Sequence, residues 1–362
     1  MTTDFATAMR RALGKARAAD PAAATSIIQQ ALAGRAEPAQ TTPQAENAPK
    51  TPAANPFVSL LRDGCTPCAG GGLMSGLKLP PAALGKQITV PDGASYTSRE
   101  HSGPAGSRSY TLYIPSERPE GLRGVILMLH GCTQSPDDFA RGTRMNDAAE
   151  KAGYIVAYPE QSRAHNLQSC WNWFRPEDQS RGRGEPEILA GIARELLAEF
   201  NLPQGRAFVA GLSAGGAMAA IMAEAYPDLF AAAGVHSGLP AGAASDVVSA
   251  FAAMRGDAGA RSRPRTTPMI VFHGMADATV APVNGDRLIG GSGIETRHEG
   301  NGRSWSRLID SDGSELWRVE RAGHAWFGGD PAGSYTDPLG PDASAEMLRF
   351  FTQIAEDGVS TS

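Results

Sequence analysis

Apolar residues in this chain gather in short unbroken runs, set between segments where they recur every third or fourth position. The runs fall at residues 110–114, 124–129, 154–158, 206–210, 231–236, 268–273 and 315–320. Except in the last, where Glu315, Arg318 and Glu320 interrupt, they are apolar on both faces, the pattern of strands buried in a sheet rather than lying half-exposed on a surface. Residues 137–152, 187–200, 216–223 and 342–354 have helical periodicity; in the second of these, Ile188, Ile192, Leu196 and Phe200 share one face. Pro115 and Pro159 stop two of the strands. This alternation predicts an α/β fold, a mostly parallel sheet covered by helices on both faces. Ligands bind such sheets at the carboxyl ends of the strands.

Upstream the pattern changes. Residues 4–34 read as two short amphipathic helices, with Phe5, Met9, Leu13 and Ala16 on one and Ala24, Ile27, Ile28, Ala31 and Leu32 on the other. Such an appendage packs on the main domain or on a second subunit, or binds a hydrophobic surface such as a lipid or a polyester granule. Residues 35–56 are rich in Pro, Ala, Thr and Gln and read as a linker; residues 57–104 are irregular. The expected organisation is a helical segment at 1–34, a linker and irregular region at 35–106, and a catalytic domain at 107–356.

Composition narrows the function. The 362 residues suffice for one large α/β domain and an appendage, and the net charge of −5 comes without any basic stretch. A nucleic-acid partner is therefore not expected. No apolar run approaches the roughly 20 residues of a transmembrane helix. Arg10, Arg11, Lys15 and Arg17 precede no apolar leader core, so a cytoplasmic, granule-associated protein is the expectation, with unconventional export left open. Cys65 and Cys68 form a CxxC without a second pair or a nearby His pair, so it reads as a loop feature, with a labile disulfide the lesser option, and no metal site is expected. Cys132 and Cys170 both lie near the edge assigned to the site; a bridge between them is geometrically feasible and stays open.

The chemistry centres on Gly211-Leu212-Ser213-Ala214-Gly215, a G-x-S-x-G between an apolar run and a helical segment. In that context the motif makes a nucleophile elbow, whose turn is tight enough that only small residues fit around the serine. A serine hydroxyl needs a base in contact and a carboxylate to orient the base. After an elbow serine, the acid and then the histidine follow in sequence. His324 lies directly beyond the last strand and is the expected base; His236 and His273 end buried strands and read as structural. Asp277, just past the strand that ends at His273, is the favoured acid, with Asp286 and Asp310 in reserve. The oxyanion hole needs two backbone amides, one from Ala214 and the other from the loop after residues 124–129, at Cys132. His130 precedes the serine and reads as a prop beneath that loop rather than as the base.

Five motifs in order, Leu129-His130-Gly131-Cys132-Thr133-Gln134, Cys170-Trp171-Asn172-Trp173-Phe174, the elbow through Met218, His273-Gly274-x-x-Asp277 and Gly323-His324-Ala325-Trp326, resemble the polyhydroxybutyrate-depolymerase-type esterase family. The resemblance spans residues 107–355 and includes feruloyl and acetylxylan esterases. It implies an α/β-hydrolase fold, Ser213, Asp277 and His324 as a triad, and neither metal nor organic cofactor. It implies hydrolysis of short-chain polyhydroxyalkanoate polyester or its oligomers, with plant-polysaccharide esters as the alternative and a non-catalytic granule-binding protein as the rival of another class. Trp326, next to the base, is expected to line the acyl cleft, while Trp171 and Trp173 are candidates for cleft or core.

Overall fold

The apolar runs form the middle of a ten-stranded sheet. The computed structural model describes residues 88–116, 121–257, 266–290 and 292–360, all within the unit Leu79–Ser362. The helices expected at 4–34, the linker and the Cys65–Cys68 pair lie outside these residues. In chain order the strands are β1 (Ser95–Gly103), β2 (Gly106–Ile114), β3 (Gly124–Leu129), β4 (Tyr154–Pro159), β5 (Ala207–Leu212), β6 (Phe230–His236), β7 (Met269–Gly274), β8 (Ile294–Gly300), β9 (Arg303–Ile309) and β10 (Glu315–Val319). Across the sheet they run β1-β2-β4-β3-β5-β6-β7-β10-β9-β8. The stretch from β4 to β10 is parallel, and antiparallel strands flank it on both sides.

Period-two alternation explains why the central runs are apolar throughout. On β3, Val125, Leu127 and Leu129 enter one core while Ile126 and Met128 enter the other. On β5, Ala207 and Val209 divide from Phe208, Ala210 and Leu212 in the same way. The first face is covered by α3 (Gly184–Glu199), α4 (Ala214–Ala225), α5 (Val247–Met254) and α6 (Val283–Ile289). The second is covered by α1 (Pro136–Thr143), α2 (Met145–Ala152) and α7 (Ala343–Ser360). Among the described residues no helix is long and apolar enough to cross a membrane.

Two expectations need correction, and one pair of strands has no mark in the sequence. The helix expected over 137–152 is two helices, because Arg144 takes a left-handed conformation (φ 54°) that closes α1 and turns the chain into α2. The region expected to be irregular up to residue 106 contains β1, a polar edge strand whose only buried side chain is His101. The hairpin β8–β9 has no apolar run at all, and every residue of β8 is exposed. Edge strands of this kind are held by ladder hydrogen bonds to a neighbour, and their polar side chains suit an unpaired border.

Phe208 is fully buried, stacked 4.9 Å from Phe351 of α7 and edge-on to Tyr154 at 5.8 Å. Phe208→Ala is expected to cost about 3–5 kcal/mol of unfolding free energy, read from urea denaturation.

Candidate active site

Ser213 stands between the end of β5 and the start of α4, at φ 58° and ψ −118°. A non-glycine residue held there carries about 1–3 kcal/mol of strain, which persists only where the surroundings over-determine it. They do. The Ser213 amide donates to the carbonyl of His236 on β6 (2.9 Å), and its own carbonyl accepts from Ala217 (2.9 Å). Gly211 and Gly215 touch so closely that a β-carbon on either would clash with the other's backbone or with the Leu129 carbonyl at the end of β3. Small residues around the serine are therefore a packing requirement as well as a conformational one.

A second pair of strand ends supplies an imidazole and a carboxylate. The His324 Nδ1–H donates to Asp277 Oδ2 at 2.7 Å; a carboxylate only accepts, so this fixes the tautomer and leaves Nε2 free to act as a base. Asp277 Oδ1 accepts from the amides of Thr279 and Val280, each at 2.9 Å. The Asp277 side chain is fully buried and that of His324 is 12% exposed. Burial pushes the Asp277 carboxyl upward, but the hydrogen bond and charge of His324, the Val280 amide and His273 outweigh it, so it titrates below an ordinary aspartate. The loops bearing the pair are laced together by Met275 N–H to Val319 O and Ala276 N–H to Ala322 O, both 2.9 Å. His273 lies beneath, donating from Nε2 to Val280 O (2.9 Å), with burial holding its pKa down. The reserve carboxylates are engaged elsewhere: Asp286 pairs with Arg318 (2.7 Å) and Asp310 accepts from the Ser311 amide (2.7 Å).

Ser213 and the His324 loop meet at a common residue. The His236 carbonyl holds the Ser213 amide, and its ring Nε2 accepts from Phe327 N at 3.2 Å. The Ser213 hydroxyl is not spent as a helix cap, since it makes no side-chain hydrogen bond to the first turn of α4.

The loop after β3 faces the elbow. Its Gly131 amide donates to Gln134 Oε1 (2.9 Å), Thr133 to Gln168 O (2.8 Å) and Gln134 to Gly131 O (3.3 Å). Among the described residues this leaves the Cys132 amide without an internal acceptor. The amide of Ala214 opens α4, where Ser213 provides no side-chain cap. Both amides are therefore available to a ligand oxygen, and the helix dipole adds to the second. Cys132 is bridged to Cys170 across 38 residues, with a Cα–Cα separation of 4.2 Å. Below the loop, buried His130 accepts from Gln161 N on Nε2 (3.1 Å), and burial lowers its pKa to about 4, so it is a neutral prop.

The family model for esterase PHB depolymerase matches residues 108–293. The chain belongs to the esterase PHB depolymerase family. Its relatives include poly(3-hydroxyalkanoate) depolymerase C of Paucimonas lemoignei, 33% identical over 51% of this chain and 47% of that protein. A probable acetylxylan esterase A of Aspergillus fumigatus is 29% identical over 59% of this chain and 62% of the relative. Feruloyl esterase B of Neurospora crassa is 31% identical over 46% and 59% respectively. The matches thus span about half to three fifths of these relatives' lengths. Acetyl xylan esterase from Aspergillus awamori superposes with a TM-score of 0.57 at 20% identity, covering 71% of this chain and 99% of that structure. The fold is that of an α/β-hydrolase.

Within this PHB depolymerase-type framework the expectation for Trp326 needs correction, and Trp171 and Trp173, open between cleft and core, fall in the core. Trp326 is 1% exposed, stacked on His236 (5.0 Å) and bonded through Nε1 to Ser344 Oγ (3.1 Å). Trp171 is wholly buried and donates from Nε1 to the His130 carbonyl (3.1 Å). Trp173 is 6% exposed and packs edge-on against Phe174. Trp171 and Trp326 therefore support the loops that carry the site and present no face to a substrate, and Trp173 belongs to the core. Sequence reasoning also missed Glu185, whose buried carboxylate accepts from Asn172 N (2.8 Å), Asn172 Nδ2 (2.7 Å) and Gln161 Nε2 (2.5 Å), fixing the segment that carries Cys170. A glutamate in the first turn of a helix, with Glu187 beside it there, gives no sign of such a role.

Asp277 also makes stability depend on pH. Its pKa is lower in the folded chain than in the unfolded one, where an aspartate titrates near 3.9. Its contribution is therefore complete above that unfolded value and is lost as pH falls through the lower folded value. Asp277→Asn is expected to flatten the acid-side fall of unfolding free energy below about pH 4; an unchanged slope in urea titrations across that range would contradict this.

Proposed function

We propose that this protein is a serine carboxylic-ester hydrolase that cleaves short-chain polyhydroxyalkanoate, poly(3-hydroxybutyrate) or its oligomers, through an acyl-enzyme. The observation that carries the reading is the 2.7 Å bond from His324 to buried Asp277, on the sheet edge where strained Ser213 also stands. His324 Nε2 takes the Ser213 hydroxyl proton as Oγ attacks the ester carbonyl. Asp277 keeps the imidazole in the tautomer that can accept this proton and stabilises the imidazolium that results. The amides of Cys132 and Ala214 hold the developing oxyanion. His324 then protonates the departing alkoxide, and water, deprotonated by the same imidazole, releases the acid.

The polyester substrate is supported by the family and by the poly(3-hydroxyalkanoate) depolymerase relative. A second reading, an acetylxylan or feruloyl esterase, is supported by relatives bearing those names and by the acetyl xylan esterase superposition. Parallel assays on hydroxybutyrate oligomers, amorphous polymer granules, acetylated xylan and methyl ferulate separate the two. Turnover confined to the last two would replace the first reading.

Residues 1–34 are proposed to engage a granule surface. Co-sedimentation with and without them tests this, and binding without ester turnover would favour the non-catalytic rival. The composition of that segment fits a cytoplasmic protein, whereas the Cys132–Cys170 bridge is a bond that persists in oxidising compartments. Thiol counting on the freshly isolated protein weighs one against the other.

Ser213→Ala is expected to lower kcat on p-nitrophenyl butyrate by about 10³-fold or more with folding intact, and Asp277→Asn by a comparable factor through loss of the correct tautomer. Retained turnover in Ser213→Ala would remove that residue from its role.

A further inference from the structure

We propose that His236 is a positioning residue that sets the separation of Ser213 and His324 by bonding both halves of the site at once. The proposal rests on the esterase reading of those two residues. His236 ends β6 and is wholly buried. Its backbone carbonyl accepts the Ser213 amide at 2.9 Å and its ring Nε2 accepts the Phe327 amide at 3.2 Å. One amino acid thus anchors the nucleophile's turn through its main chain and the base-bearing loop through its side chain.

The surroundings explain why the second acceptor is an imidazole. Phe327 N points into a pocket of rings: Trp326 is stacked on His236 at 5.0 Å, Phe272 at 5.7 Å, and Phe327 itself lies edge-on at 4.3 Å. A flat ring fills the slot between these aromatic faces and carries an acceptor atom at a fixed reach. To accept, Nε2 must lack a proton. Burial, together with the nearby His273 and His324, pushes the His236 pKa well down and keeps the ring neutral. The ring proton then sits on Nδ1, which faces Ser237 Oγ at 3.3 Å.

His324 is tethered from two directions. Its ring is oriented by Asp277, a contact that fixes rotation about the side chain. The Phe327–His236 bond fixes the path of the loop and therefore how far Nε2 stands from the serine. Removing the acceptor leaves a buried amide unpaired, and the loop must shift to recover a partner. A displacement of about 1 Å between reacting groups costs about 10²-fold in rate.

The test compares His236→Phe, which keeps the ring and loses the acceptor, with His236→Gln, whose Oε1 lies the same number of bonds from the backbone as Nε2. His236→Met, close in shape to the glutamine variant and without a strong acceptor, serves the same comparison should the phenylalanine variant fail to fold. Each full-length variant is assayed for kcat and KM on p-nitrophenyl butyrate, for melting temperature, and for the rate of fluorophosphonate labelling with the adduct located by mass spectrometry. The expected result is a loss of roughly 10–100-fold in kcat and labelling rate for His236→Phe and His236→Met, with KM little changed. His236→Gln is expected to remain within a few-fold of the parent. Wild-type rates in the phenylalanine or methionine variant, or equal losses in methionine and glutamine variants that melt alike, would overturn the proposal. An unmodified Ser213 in the labelled parent protein would instead overturn the esterase reading, and this proposal with it.

Discussion

The hydrogen bond between His324 and Asp277 is the contact on which the site depends. It joins two loops that the sheet already brings together, because β7 and β10 are neighbours and run parallel. A carboxylate buried as deeply as Asp277 is tolerated only when its oxygens are satisfied, and three donors meet that need: two backbone amides and the imidazole. The imidazole is therefore required by the carboxylate as well as oriented by it. This mutual need holds the His324 imidazole in one orientation on a loop that backbone bonds already tie down.

The sheet does the remaining positioning. Strands β3, β5, β6, β7 and β10 lie side by side and point the same way, so the Cys132 loop, the Ser213 turn, His236, Asp277 and His324 all emerge from one edge. Each strand is anchored in two apolar cores, which makes that edge stiff. The stiffness is what holds Ser213 at positive φ, since the close approach of β3 to the elbow leaves its backbone little alternative. Buried polar groups then hold the loops beyond the strands: Gln134 on the Gly131 amide, Glu185 on the segment that carries Cys170, and His130 under the loop of Cys132.

Most of the parallel core was legible because a strand buried on both faces is apolar at nearly every position; β10, which carries Glu315 and Arg318, is marked less clearly. The candidate groups were legible for a related reason: Cys132, Ser213 and Asp277 each stand just past such a run, and His324 just past the last strand, where the fold places its chemistry. The edge strands were not, since β8 has a border of solvent on one side and exposes every residue, so neither apolar run nor alternation marks it. Trp326 was misread because sequence proximity to a site does not say which way a ring points. Trp326 follows the base closely, yet its ring turns inward to stack on His236. The bonds made by His236 and Glu185 connect segments far apart in the chain, and no local pattern encodes them.

Whether one imidazole and two backbone amides converge on Ser213 is decided by a crystal structure of the protein after reaction with a fluorophosphonate. The expected adduct has phosphorus bonded to Ser213 Oγ, its phosphoryl oxygen between the amides of Cys132 and Ala214, and His324 Nε2 within hydrogen-bond distance. Phosphorus on another residue, or on Ser213 with His324 turned away and the phosphoryl oxygen in solvent, would contradict it.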